Sequence, residues 1–219
     1  MKVKVVATAT NKNHAGYQKF IYSLDKFGWE YDILDKNYVA YGSKMKNAYE
    51  YAKKTELYQD VTHLFILDAY DIVVLGTMEE ALTLLDTTEG ITFNAEKACW
   101  PHSEWEKEYP IVNSDWKYLN GGACFVKVDD FINLYEKRPI RDEENDQEVL
   151  GRIYLDKREE LKMHLDTKCR VFQSVAFEHE GDFEYNYDIK RILNLKNKTT
   201  PVIIHGNGKT DMSKVYKLL

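Results

Sequence analysis

Long apolar runs are missing from this sequence. No stretch approaches the ~20 residues that a membrane-spanning helix needs, and the opening MKVKVVATAT alternates like a strand instead of carrying the apolar centre of a signal peptide. The expectation is a soluble chain with no membrane span and no secretory address, its location cytoplasmic or unassigned. Cysteine is also scarce: Cys99, Cys124 and Cys169 are scattered without metal-site spacing, which argues against structural zinc and leaves one disulfide open. There is no excess of positive charge. The 30 basic and 36 acidic side chains give a net charge of −6, with no basic cluster or arginine-rich arm, so nucleic acid is set aside as a partner. Internal repeats, low-complexity tracts and linkers are absent as well, and 219 residues are most economically one domain, 1–219.

What is present is a strand-and-helix alternation. Val3, Val5 and Val6 predict a first strand that ends in Thr8 and Thr10, followed by a loop over 11–16. Tyr17, Phe20, Ile21, Leu24 and Phe27 recur at helical spacing, and Gly28 is a natural stop. Residues 29–34 read as a second strand, and Met45, Ala48, Tyr49 and Ala52 mark a second helix. The run LFIL at 64–67 is a third strand of the kind buried on both faces. Thr77 with Glu80 forms a capping box for a helix whose buried stripe is Met78, Ala81, Leu82 and Leu85, and ITFN at 91–94 is the next strand. This β-α-β-α-β-α-β order predicts a mostly parallel sheet covered by helices.

The pattern then loosens. Residues 95–116, with Trp100, Pro101, Trp105 and Pro110, read as a long loop of the functional kind. Gly121-Gly122 predicts a turn into a strand that runs to 128; helices follow over 130–136 and after the acidic 141–148 stretch, and 166–188 reads as short strands and loops. A last short strand, 201–204, delivers His205 into Gly206-Asn207-Gly208. The many tyrosines suit sugar-binding surfaces, yet core packing accounts for most of them.

Candidate chemistry centres on HLFILDAYDIVVLG, 63–76. Asp68 directly follows the third strand and Asp71 lies three residues on, so both carboxylates can share one divalent cation at a strand end. An ordinary strand-to-turn exit is the alternative, since aspartate is a common turn residue. His205 completes an N/O donor set suited to manganese, and Gly206 and Gly208 would let backbone amides approach phosphate. A P-loop at 206–210 is rejected, because its first glycine would fall at Ile203 and no room remains for the later strands. A phosphatase-like nucleophile at Asp68 is a remote option, as the second aspartate stands three residues away instead of two.

VATAT, LDAYDIVV, FNAEKACWP, YLNGG, the acidic run ending in NDQ, RIYLD, LDTKCRVFQ and IHGNG occur in this order over nearly the whole chain. In this series the chain resembles the glycosyltransferase domain of the multifunctional procollagen lysyl hydroxylases. The resemblance implies an α/β GT-A (Rossmann-like) fold with a mixed, mostly parallel central sheet flanked by helices. It also implies a retaining transferase moving glucose from UDP-glucose to galactosyl-hydroxylysine of collagen-like chains in an α-1,2 linkage. Asp68, Asp71 and His205 then match manganese ligands, and Tyr70 the ring against uracil. Thr8 and Lys44 match positions lining the nucleotide, with Gly206, Gly208 and Lys209 beside the diphosphate. Glu96, Trp100, Asn120 and Asp146 match the surroundings of the sugar and acceptor, with Asp146 the first residue to test as base, acceptor-orienting group or oxocarbenium stabiliser.

Three departures from the family pattern stand out. Asn145 replaces one carboxylate of an aspartate run, Gly121 replaces a serine, and Lys209-Thr210-Asp211 replaces proline-threonine-lysine, which leaves open whether Lys209 meets the diphosphate. The expectation includes no iron or 2-oxoglutarate chemistry, and a homodimer stays open. Two other readings compete: a UDP-sugar transferase of the same fold with another donor or a small sugar acceptor, and a non-enzymatic sugar- or collagen-binding module.

Overall fold

A computed structural model describes residues 1–35, 38–58 and 61–219, with the side chains of 56–58 outside the description. The central sheet has six strands in the order β2-β1-β3-β6-β5-β7. These are β1 (Val3–Thr8), β2 (Tyr31–Leu34), β3 (His63–Leu67), β5 (Ile91–Glu96), β6 (Tyr118–Lys127) and β7 (Met163–Asp166). Ladders β1/β2, β1/β3 and β5/β7 are parallel, whereas β6 is antiparallel to both β3 and β5. One strand alone is therefore reversed. The mixed, mostly parallel α/β sheet expected from the sequence is what forms.

Apolar residues on the two faces build two cores. Beneath one face lie Met45, Ala48, Ala52, Leu64, Ile66, Phe93 and Val126, covered by α2 (Gly42–Tyr58), α4 (Val128–Lys137) and α5 (Asp146–Lys157). On the other, Val5, Phe20, Leu24, Phe65, Leu67 and Phe125 pack under α1 (Ala15–Lys26) and α3 (Met78–Leu84). Every residue of β3 is buried, as its unbroken apolar run requires. Among the described residues no helix is long and apolar enough to cross a membrane.

A second sheet, β4-β11-β8, lies beside the first; β4 is Ile72–Val74, β8 Phe172–Ser174 and β11 Ile203–His205. Strand β11 is antiparallel to β4 and parallel to β8, which sets His205 opposite Ile72. A hairpin of β9 (Phe183–Asn186) and β10 (Arg191–Asn194) and the short α6 (Ser213–Tyr216) complete the chain.

Several boundaries differ from the sequence reading. The second strand starts at Tyr31, because the backbone of Trp29 still bonds to the Leu24 carbonyl in the turn that closes α1. The 95–116 loop contains a 3-10 helix, Ser103–Glu108, and β5 extends to Glu96. Gly121-Gly122 is no turn: both lie inside β6, where the ladder to β5 jumps from Cys124–Phe93 to Asn120–Asn94. Thr77 caps α3 through the Glu80 amide, but the Glu80 carboxylate pairs with Arg191 of β10 at 2.6 Å. All three cysteines are buried thiols, which leaves no disulfide.

Candidate active site

Parallel strands point their carboxyl ends at one edge of the sheet, and the reversed β6 brings its amino-terminal half to the same edge. Thr8, Asp68, Glu96 and Asn120 thereby meet around a cleft of about 650 Å³. Asp146 enters from the first turn of α5, and His205 from the end of β11. Asn145, the departure from the acidic run, caps α5 by accepting the amides of Gln147 and Glu148. The substitution keeps the helix start intact while removing a charge.

Asp68, Asp71 and His205 form one cluster, with ligand atoms all within 4.8 Å of one another. His205 Nε2 lies 3.8 Å from Asp68 Oδ2 and 3.4 Å from Asp71 Oδ2. It is buried without a hydrogen-bond partner, an unfavourable condition that a cation relieves. The other ring nitrogen faces the Asn94 amide at 3.4 Å, and Asn94 Oδ1 is likewise unpartnered. The donor set, one imidazole and two carboxylates, fits a divalent cation such as manganese.

Charge balance in the cleft points the same way. Burial pushes the Asp68 carboxyl above its ordinary range, against the pull of Lys44. Burial also acts on Asp71, but the adjoining imidazole holds its carboxyl below the ordinary range. Desolvation opposes a charged His205, yet Asp71 and Asp68 together raise it.

Lys44 Nζ lies 2.9 Å from Asp68 Oδ1, 2.9 Å from the Gly121 carbonyl and 2.9 Å from Asp146 Oδ2. The last contact is a buried ion pair. Lys44 thus ties a metal-cluster carboxylate to the helix-borne one. Glu96 sits deeper, where burial raises its carboxyl. Its Oε1 accepts from Asn120 at 3.2 Å and Gln147 at 2.5 Å, and its Oε2 from Asn207 at 2.7 Å. Tyr70 is clamped by its hydroxyl, which accepts the amides of Thr10 and Asn11 at 2.9 and 2.8 Å.

Thr8, Lys44, Asp68, Tyr70, Asp71, Glu96, Trp100, Asn120, Asp146, His205, Gly208 and Lys209 all line this cleft. Gly206 does not. Its amide donates to the Asp71 carbonyl at 2.8 Å, and a side chain there would meet Met212 Sδ at 2.4 Å, so it braces the cluster and has no free donor for phosphate. Gly208 and Lys209 both take positive φ, 68° and 56°, in an open turn at the cleft edge. Sequence reasoning missed Asn94, Gly122, Gln147 and Asn207. All four stood inside the quoted strings FNAEKACWP, YLNGG, NDQ and IHGNG, and the three side-chain amides signal polar partners once Glu96 and His205 are known to be buried.

A family model described as PLOD GT domain matches residues 1–216. The human multifunctional procollagen lysine hydroxylase and glycosyltransferase LH3 is 27% identical over 229 residues, covering 98% of this chain and 31% of the relative. Mouse procollagen-lysine,2-oxoglutarate 5-dioxygenase 2 is 29% identical, with 98% of this chain and 31% of the relative covered. The chain thus spans about a third of the length of these relatives. Among solved structures, a glycosyltransferase involved in the glycosylation of the major capsid of PBCV-1 superposes with a TM-score of 0.56 at 11% identity, over 100% of this chain and 97% of that one. The galactosyltransferase LgtC with donor and acceptor sugar analogs gives a TM-score of 0.50 at 12% identity, over 94% and 87%. These two similarities concern the fold alone.

Proposed function

The chain belongs to the family of PLOD GT domains, and from that premise we propose that residues 1–219 act as one metal-dependent glycosyltransferase domain using a UDP-sugar donor. The observation that carries this reading is the buried, unpartnered Nε2 of His205 facing Asp68 and Asp71 on the floor of a sugar-sized cleft. Neutralising a departing diphosphate is work that such a cluster suits, and a module that only binds sugar has no diphosphate to neutralise. Only the glycosyltransfer half of the relatives' names is carried over, because the matched third of their length is a GT domain.

Asp68, Asp71 and His205 would hold the cation, with manganese the first choice. When bound, it supplies Lewis-acid neutralisation of the departing diphosphate. Tyr70, fixed through Thr10 and Asn11, offers its ring to the uracil, with Thr8 beside it. Gly208 and Lys209 lie where the diphosphate would pass. Glu96 locks Asn120, Gln147 and Asn207 in place, so the sugar meets a preorganised polar wall that needs no rearrangement. Asp146 orients the acceptor hydroxyl and takes its proton. The acceptor oxygen bonds to the anomeric carbon, the bond from that carbon to the diphosphate breaks, and UDP leaves with the electron pair.

UDP-glucose and galactosyl-hydroxylysine are the first donor and acceptor to test; a different UDP-sugar or a small sugar acceptor would use the same machinery. The experiment is UDP release from UDP-glucose with manganese, for the wild type and for Asp68→Ala plus Asp71→Ala, with and without a galactosyl-hydroxylysine peptide. Metal-dependent turnover that rises with the peptide and vanishes in the double variant supports this pair. Turnover with another donor alone moves the assignment to the second reading, and no turnover with any UDP-sugar overturns the transferase reading.

A further inference from the structure

Ser174 is fully buried and does not line the cleft, yet its hydroxyl reaches the cleft wall through one intermediary. It is the last residue of β8 and stands opposite His205 in the parallel ladder to β11. Residues paired across a ladder send their side chains to the same face of the sheet, so the Ser174 hydroxyl is delivered to the face from which His205 enters the cleft. There it donates to Asn207 Oδ1 at 2.5 Å. Asn207 in turn donates from Nδ2 to Glu96 Oε2 at 2.7 Å.

A side-chain amide can donate to a carboxylate only while its own oxygen is turned away. Three amides donate to Glu96, and each has that oxygen held by a further donor. Asn120 Oδ1 accepts the Gly122 amide at 2.9 Å, and Gln147 Oε1 accepts the Gly121 amide at 3.0 Å. Both of those donors are backbone N–H groups of β6, set in place by the strand itself. Asn207 differs. Among the described residues its side-chain oxygen is held by the Ser174 hydroxyl alone, so one side-chain oxygen atom decides which way that amide faces.

The hydroxyl acts from a fixed point. The Ser174 carbonyl accepts Trp116 Nε1 at 3.0 Å and Gln173 Nε2 at 2.7 Å, and the next amide, that of Val175, donates to the His205 carbonyl at 3.0 Å. If Asn207 turned end for end, Oδ1 would face Glu96 Oε2, and two acceptors would meet where water cannot separate them. Glu96 would keep two of its three amide donors, and Asn207, which lines the cleft beside it, would lose its anchor. Filling the space at position 174 needs only alanine. The hydroxyl is what the wall uses.

Building on the transferase reading, we infer that Ser174 is a positioning residue for sugar transfer. Its hydroxyl holds the Asn207 amide in the one orientation that donates to Glu96, and so keeps these two cleft-wall side chains set before the sugar arrives. Ser174 itself stays out of reach of the sugar.

Ser174→Ala deletes the hydroxyl without adding bulk, while Ser174→Thr and Ser174→Val add the same volume with and without it. Each full-length variant is measured for turnover of the UDP-sugar that the wild type uses, for UDP affinity with manganese, for thermal midpoint, and for the Asn207 side-chain NH2 resonances in isotope-labelled protein. The expected result is a kcat about ten-fold lower in Ser174→Ala and Ser174→Val, with donor KM and UDP affinity within about two-fold of wild type, and wild-type kcat in Ser174→Thr. The Asn207 NH2 resonances should move in the first two and stay in the third. Should the added methyl unfold both β-branched variants, Ser174→Ala against wild type carries the comparison. Wild-type turnover in Ser174→Ala, equal turnover in folded Ser174→Thr and Ser174→Val, or Asn207 resonances that Ser174→Ala leaves in place each overturns the assignment. So does a loss of UDP affinity in step with kcat, which marks a general loosening of the site. If the wild type turns over no UDP-sugar, the transferase reading falls, and the Asn207 resonances alone decide whether Ser174 orients that amide.

Discussion

Adding one methyl group at Gly122 should abolish metal binding, whereas the same change at Gly121 should leave it intact. A Cβ on Gly122 would lie 2.2 Å from His205 Cε1, 2.6 Å from Asp68 Oδ2 and 2.8 Å from His205 Nε2. Carbon atoms pack at about 3.5 Å or more, so the imidazole must retreat by roughly 1.3 Å. It cannot do so by moving its strand, since β11 is registered between β4 and β8. Ligand distances in metal sites hold to about ±0.2 Å, and a ring displaced so far leaves the coordination sphere. Loss of a ligand should weaken manganese binding by more than the ~10–100-fold seen when a supporting partner is lost. Overpacking should also reduce stability by about 1–3 kcal/mol.

At Gly121 the nearest atom to a Cβ is Gln147 Cα at 3.4 Å, an ordinary contact. Gly121→Ala, or the serine that the family resemblance places there, should bind manganese within about two-fold of wild type. Isothermal titration with manganese, thermal unfolding and UDP release on both variants make the comparison. A Gly122→Ala protein that binds manganese and turns over like wild type would refute the placement of the metal.

Four further outcomes follow from the same geometry. Because Asp71 and Asp68 raise the His205 pKa, the metal-free imidazole keeps its proton to higher pH than an ordinary histidine, and a cation must displace it. Manganese affinity should therefore rise with pH through that range and level off above it, with proton release measured by calorimetry in buffers of different ionisation enthalpy. Glu96→Gln turns an acceptor oxygen into a donor among three amide donors, and should lower stability by about 1–3 kcal/mol in thermal unfolding and reduce turnover. Tyr70→Phe frees two backbone amides near the surface, so a small loss of about 1 kcal/mol in stability is expected, with several-fold weaker UDP binding as the larger effect. UDP should bind only with a divalent cation present, while uridine should be indifferent to it; equal metal dependence of the two in a fluorescence titration would sink the diphosphate assignment.

The metal dependence proposed above rests on charge as much as on ligand geometry. Asp68, Asp71, Glu96 and Asp146 crowd a cleft into which Lys44 brings one positive charge that is already shared between Asp68 and Asp146. A diphosphate approaching that surface meets like charge at low dielectric, where repulsion is poorly screened. A divalent cation on Asp68, Asp71 and His205 would offset that negative charge and add to the attraction that Lys209 at the cleft edge offers.

Local period and strand ends were legible because each is written in neighbouring residues. The unbroken run of β3 ending in Asp68, the helical stripe of α2 and the delivery of His205 after a short apolar strand can all be seen in windows of a few residues. Strand direction cannot. Whether β6 runs with or against β3 depends on pairing across about sixty residues, such as Ile66 with Cys124, and Gly121-Gly122 reads locally as a turn in either case. Yet that reversal decides the site. Only an antiparallel β6 can bring its first residues to the edge where β1, β3 and β5 end, and only the register jump at Phe93/Asn94 pushes Gly122 out of the β5 ladder. There its carbonyl accepts the Asp68 amide at 2.8 Å and its missing side chain leaves space for the imidazole. The glycine that looks like a break in the strand is the residue that lets a histidine from β11 and the aspartate after β3 approach within 3.8 Å, the closeness that the proposed cation site needs.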